Sequence, residues 1–173
     1  MRIIPKPVTG IPSFYEPYLS KVPDDGKLLM HLNDILTETI ALARSLSEEK
    51  LNFRYAEGKW TIKDILVHLS DCERVIMYRS MRMGRGDKTN LPGFDENVFV
   101  ENAHASKRTL EDILAELSAG RAFSIAFIQS LSEEALHAEG TANGYPLSCR
   151  LLVNHLYGHH RHHLLIIKER YLA

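Results

Sequence analysis

An apolar pattern at helical spacing runs from Leu151 to Ile167, with one glycine and no proline. Five of the chain's nine histidines lie inside it, in His155-Leu-Tyr-Gly-His159-His160-Arg161-His162-His163. On a helix, His155, His159 and His163 follow one another at one-turn intervals on a single face. Leu152, Leu156, Ile166 and Ile167 flank that stripe and turn it toward a core. A buried imidazole without a partner costs roughly 2 kcal/mol or more, so the fold must supply these rings with hydrogen bonds or a metal ion. The i, i+4 pair His159 and His163 suits one ion, and satisfied core histidines are the competing reading. His160 and His162 rotate away from the stripe and are expected at the surface or on a shoulder of the helix. The run is interrupted by Arg161 and continues into Leu164-Leu-Ile-Ile, which is not the pattern of an expression tag.

The other segments must cover this stripe. Asp24 or Asp25 can cap a first helix, whose inner face is Leu28, Leu32, Ile35, Leu36, Leu42 and Leu46. His31 lies beside that face and reads as structural or surface. Thr61-Ile-Lys-Asp64 has the form of a capping box, with Trp60 and Ile65 placed as a hydrophobic staple. The helix it opens carries Ile62, Ile65, Leu66, Leu69 and Ile76 inward and is expected to end near Gly84. Thr109-Leu-Glu-Asp112 opens a third helix, with Gly120 in its middle explained by close packing. Ser148 caps the histidine helix. The connection 85–108 contains an Asn90–Gly93 turn and a short helix from Phe94-Asp95-Glu96-Asn97 to Ala103. The connection Leu136 to Leu147 has an Asn143-Gly144 turn signal. No segment reads as a strand. Four helices with one apolar face each predict an all-α four-helix bundle over 24–173, with long crossover loops. Residues 1–23 hold five prolines, so they predict a non-helical arm, pinned to the domain by Phe14, Tyr15 and Tyr18.

A chain of 173 residues suits one domain. Twenty-one basic residues against 22 acidic ones give a net charge of −1, no basis for a nucleic-acid or anionic-membrane partner. No apolar run approaches the roughly 20 residues of a membrane span, and the N-terminus lacks the apolar core of a signal peptide. Cys72 and Cys149 form no CxxC pair. A reducing cytoplasm is the expected compartment.

Bundles build metal sites from facing helices. His68, on the shoulder of the second helix's apolar face and one turn before Cys72, is the best third partner for His159 and His163. Three neutral imidazoles leave coordination positions open, which is the ligand count of a catalytic site. They favour a borderline divalent ion such as Zn or Ni, with Fe, Co and Mn as further options, over Mg or Ca. No Glu lies between the paired histidines, so the built-in base of an HExxH site is missing. The carboxylates available are Asp71, three residues after His68 and placed to accept from its ring, and the pair Asp95 and Glu96, whose competing reading is an exposed helix start.

Gly58-Lys-Trp-Thr-Ile-Lys-Asp-Ile-Leu-Val-His68-Leu-Ser-Asp71 resembles the G-W-T-x-x-x-x-x-x-H-L-x-D segment of the DinB/YfiT-like proteins. His159-x-x-x-His163 followed by Leu-Leu-Ile-Ile resembles that family's C-terminal histidine helix, and Arg79 and Phe94-Asp95-Glu96 resemble its YfiT-like branch. The resemblance implies a bundle holding a divalent metal on His68, His159 and His163; His155 matches none of the usual ligands. It implies a metal-dependent hydrolase acting on a small molecule, or a metal-dependent S-transferase using a low-molecular-weight thiol. A non-catalytic, stress-related metal-binding protein is the third expectation, and a homodimer is the expected assembly.

Overall fold

The computed structural model describes residues 2–172. In chain order the elements are α1 (Glu16–Leu19), α2 (Leu28–Arg44), α3 (Glu48–Leu51), α4 (Ile62–Gly84), α5 (Glu96–Ala103), α6 (Leu110–Ser130), α7 (Glu133–His137), β1 (Glu139–Ala142), β2 (Tyr145–Ser148) and α8 (Cys149–Ile166), the last continuing as a π turn through Tyr171. The long helices α2, α4, α6 and α8 form the four-helix bundle.

Local chemistry sets the starts of three of them. Thr61 accepts from the Asp64 amide at 3.0 Å while the Asp64 carboxylate accepts from the Thr61 amide at 2.9 Å, a complete capping box. Thr109 and Ser148 each accept from the amide three residues on. The expected Asp24 or Asp25 cap on α2 is not made. Gly26 takes a left-handed φ of +68° and carries the chain past the cap position, so α2 begins at Leu28. Asp25 instead accepts from the Lys27 amide and pairs with His31, both at 2.9 Å.

Two further expectations are corrected. Leu136 to Leu147 contains a strand pair: β1 and β2 are antiparallel, with Ala142 opposite Tyr145 and Glu139 opposite Ser148. Their turn is Asn143-Gly144, with φ of +51° and +77°, the two left-handed residues of a type I′ hairpin. Four-residue strands are too short to display a period of two, so only the turn was visible in the sequence. The arm also contains a helical turn, α1, which tolerates Pro17 because the first helical positions need no amide donor. That turn lies directly on α8. A Cβ at Gly158 would sit 2.2 Å from the Tyr18 carbonyl oxygen, so only glycine allows the approach. Ile4, Tyr15, Leu19 and Val22 of the arm are buried in the main core with Leu32, Ile76 and Leu152.

α8 is buried without a break from Leu151 to His160, because α1, α2, α4 and α7 surround it. His160 is therefore a core residue, only 1 % exposed, and not on a shoulder. Arg121 donates to its Nδ1 at 3.1 Å, and its Nε2 lies 2.8 Å from Thr39 Oγ1. A guanidinium only donates, so His160 is neutral with its proton on Nε2. Thr39 receives that proton and donates its own to the Ile35 carbonyl at 2.8 Å. Arg121 is held bidentate by Glu73, at 2.9 and 2.8 Å, and donates to the Leu32 carbonyl. One buried, satisfied network thus joins α2, α4, α6 and α8 and sets the rotation of α8. Gly120 is not explained by close packing, since a Cβ there meets nothing within 4 Å.

Candidate metal centre

α4 and α8 pack side by side with their histidines facing. His159 Nε2 lies 3.2 Å from His68 Nε2 and 3.1 Å from His163 Nε2. Two imidazole nitrogens on one tetrahedral ion, each bonded at 2.0–2.1 Å, are about 3.3 Å apart. Hydrogen bonding does not account for this geometry. A neutral Nε2 carries either a proton or a lone pair, so His159 Nε2 can serve one neighbour and not both. Protonation is suppressed as well: burial lowers His68 to about 4 and pushes His159 and His163 well below the ordinary histidine value, with the neighbouring rings adding to the effect on the latter two. Neutral imidazole nitrogens this close to His159 Nε2 are a donor set that fits a divalent ion.

Cys72 is the other donor nearby; its Sγ and the ligand atoms of His68 and His159 all lie within 4.8 Å of one another. Its sulfur is 3.5 Å from His68 Nε2 and 3.6 Å from His68 Nδ1. Near-equal distances put it beside the ring rather than on the Nε2 lone pair, about 4 Å or more from an ion bonded there. Burial pushes its thiol well up, and the charges of Glu96 and Asp71 add to this. His163 offers a further donor on the other side, its Nε2 3.1 Å from that of His159.

The histidines open into a cavity of about 320 Å³. Trp60 covers one side, with its ring 4.6 Å from that of His68 and its Nε1 donating to Asn97 at 3.2 Å. Tyr18 covers another, edge-on to His155 at 4.8 Å and His162 at 5.2 Å. Phe14, Tyr15, Ile76, Phe94, Arg79, Glu96 and Asn143 complete the wall. The arm's aromatics, expected only to pin it down, are thus part of the cavity. His155 has a buried Nδ1 without a hydrogen-bond partner, and burial, helped by the charge of Arg79, lowers it to about 3.

The carboxylate candidates separate. Glu96 lines the cavity. Asp95 does not; it caps α5 by accepting from the Asn97 and Val98 amides at 2.9 and 3.2 Å. Asp71 turns the other way around α4 into a hollow with Val67 and Phe99, where Arg74 donates to it at 3.1 Å. Three residues advance a helix by 300° and four by 400°. The space beside the His68 ring therefore goes to Cys72, and Asp71 makes no hydrogen bond to that ring. Burial raises the Asp71 pKa, against the pull of Arg74. The sequence reading missed Arg79 and Tyr18 as cavity residues; the i, i+11 spacing of His68 and Arg79 on one helical face was a usable signal for the first.

A four-helix bundle in which a histidine nitrogen of α8 lies 3.1–3.2 Å from imidazole nitrogens of both α8 and α4 has the form of a metal-site bundle protein. The family description of the DinB superfamily matches residues 31–167, and the chain belongs to that superfamily. It is 29% identical over 123 residues to a Geobacillus kaustophilus protein named "Putative metal-dependent hydrolase", covering 68% of this chain and 67% of that one. It is 22% identical over 165 residues to a Geobacillus thermodenitrificans protein of the same name, covering 92% and 93%. In fold it is similar to YfiT from Bacillus subtilis, a four-helix bundle of unusual topology, with a TM-score of 0.74, 17% identity, and coverage of 95% and 90%. It is also similar in fold to the mycothiol-dependent maleylpyruvate isomerase, with a TM-score of 0.62, 15% identity, and coverage of 83% and 61%. Among the described residues no helix is long and apolar enough to cross a membrane.

Proposed function

We propose that this chain is a metal-dependent hydrolase that holds a divalent ion, Zn or Ni foremost, on His68, His159 and His163. The observation that carries the reading is the shared nitrogen: His159 Nε2 sits 3.2 and 3.1 Å from two other Nε2 atoms, an arrangement that neutral imidazoles cannot satisfy among themselves. Such an ion, when bound, polarises a substrate's electrophilic group and lowers the pKa of water. The chain's own residues do the rest. Trp60 and Tyr18 exclude bulk water from the imidazoles. Glu96 is the carboxylate of the cavity wall and in this reading accepts the proton lost by the attacking nucleophile. His160, locked by Arg121 and Thr39, is a positioning residue that holds α8 at the rotation the pair His159 and His163 requires. The names of the two Geobacillus relatives support the same class.

The thiol S-transferase reading uses the same site, and the fold shared with a mycothiol-dependent isomerase supports keeping it. Purified protein, with metal content measured, would be mixed with small esters, amides and alkyl halides, with and without cellular thiols. Turnover without thiol supports hydrolysis. Turnover only with thiol supports transfer. No turnover with a fully loaded site favours a non-catalytic metal-binding role. A cytoplasmic homodimer remains the expected form, which sedimentation and fractionation would test.

A further inference from the structure

The structure buries two guanidinium groups, and it treats them differently. Arg121 is clamped by the Glu73 carboxylate. Arg79 is 7 % exposed, yet among the described residues no carboxylate lies within 4.0 Å of it. One of its five N–H donors is used, from Nη2 to the Pro92 carbonyl at 2.8 Å, and its guanidinium lies 5.9 Å from the centroid of the Phe94 ring. A buried charge without a counter-ion is costly, and guanidinium is the side chain best shaped to take a carboxylate with two parallel hydrogen bonds. This group also borders the cavity that holds the histidines. His68 and Arg79 are eleven residues apart on α4, three turns on the same face and about 16 Å along the axis. Both side chains lean toward the helix N-terminus, the longer arginine further, which leaves on the order of 10–15 Å between the guanidinium and the His68 imidazole. Tyr15 and Phe94 wall that span with apolar surface. The carboxylate of the wall, Glu96, lies beyond ion-pair distance.

We propose that Arg79 is the specificity-determining residue of a carboxylate subsite, so that the substrate is a small molecule with an anionic carboxylate at one end, an apolar body, and its electrophilic group at the histidine end. The proposal rests on the reading of this cavity as the substrate site. It assigns Arg79 no part in the chemical step; the residue selects and orients.

The probe is 3-phenylpropanoate, with 3-phenylpropanamide as its uncharged match. Both are titrated by calorimetry into the full-length protein, with metal content measured on the same samples. The unmodified protein should prefer the acid, and Arg79→Met should abolish that preference, weakening acid binding about 30-fold or more while amide binding stays within twofold. Arg79→Lys, which keeps a charge but loses the planar fork, should fall between. His68→Ala, depleted of metal, should keep the preference for the acid. Equal binding of acid and amide by the unmodified protein overturns the proposal whether or not the variants fold. So does a preference that survives Arg79→Met and disappears in His68→Ala, which would put the carboxylate on the metal. Loss of metal dependence with the acid preference intact would overturn the hydrolase reading and leave the subsite standing.

Discussion

Neighbouring residues of α8 should fail in opposite ways. His160→Ala removes a ring that is 1 % exposed, opens a cavity of that size, and strands a donor of Arg121 and the hydroxyl of Thr39. The cavity costs about 2–3 kcal/mol and the lost hydrogen bonds about 1–2 more, roughly 4 kcal/mol together. Spread over 173 residues at about 2.1 cal/mol/K each, that lowers Tm by about 11 °C. His159→Ala instead removes the nitrogen shared by the two contacts at 3.2 and 3.1 Å. It should empty the metal site while costing the metal-free protein only about 1–2 kcal/mol, because the ring it removes is incompletely satisfied. The assays are thermal and urea melts after chelation and metal content by mass spectrometry before it. Metal loss in His160→Ala with retention in His159→Ala would refute the assignment of the two faces. A melt of metal-free His160→Ala within 1 kcal/mol of the unmodified protein would refute the account of the buried network.

Four other outcomes follow from the same geometry. His68 is lowered to about 4 and His155 to about 3, with His159, His160 and His163 well below the ordinary value of 6.5; these groups are neutral in the fold and charge on unfolding. Their contribution is present above about pH 6.5 and is lost as pH falls toward 4, by up to ~1.4 kcal/mol per pH unit per group, so the urea midpoint of the chelated protein should drop steeply from pH 6.5 to 4.5, and a flat profile would contradict the burial of these rings. Asp71→Asn should leave metal content unchanged, because Asp71 pairs with Arg74 and not with His68; a tenfold loss would return it to the ligand's support. Gly158→Ala forces a Cβ to within 2.2 Å of the Tyr18 carbonyl, which should cost about 1–3 kcal/mol and make the arm open to limited proteolysis. Gly120→Ala, with open space around the new methyl, should stabilise the protein by about 1 kcal/mol, read as a rise in Tm.

Wherever a few adjacent residues settle the outcome, the sequence by itself determined it. The Thr61–Asp64 box, the Thr109 and Ser148 caps and the left-handed Gly86 just past the end of α4 are local hydrogen-bonding and φ preferences, so the long helices were legible with nearly correct ends. The all-α bundle follows from four apolar faces, and the pair His159 and His163 from a one-turn spacing. Tertiary structure decided everything that depends on which helix faces which. His160 looked peripheral because a helical wheel assumes one wet side, and α8 has none over that turn. Asp71 was expected at the His68 ring; helix angle separates it from Cys72, and the packing of α4 decided which of the two sides faces the cavity. The arm's aromatics could not be placed over the histidines from composition, because their position depends on Tyr18 reaching the bare backbone of Gly158, 140 residues later. Arg79 carried a resemblance to the YfiT-like branch and a helical spacing to His68, but its burial beside the cavity, with no carboxylate in ion-pair range among the described residues, belongs to the packed bundle. Periodicity specifies a residue's angle about its own helix axis; the neighbour found at that angle is a property of the assembled bundle.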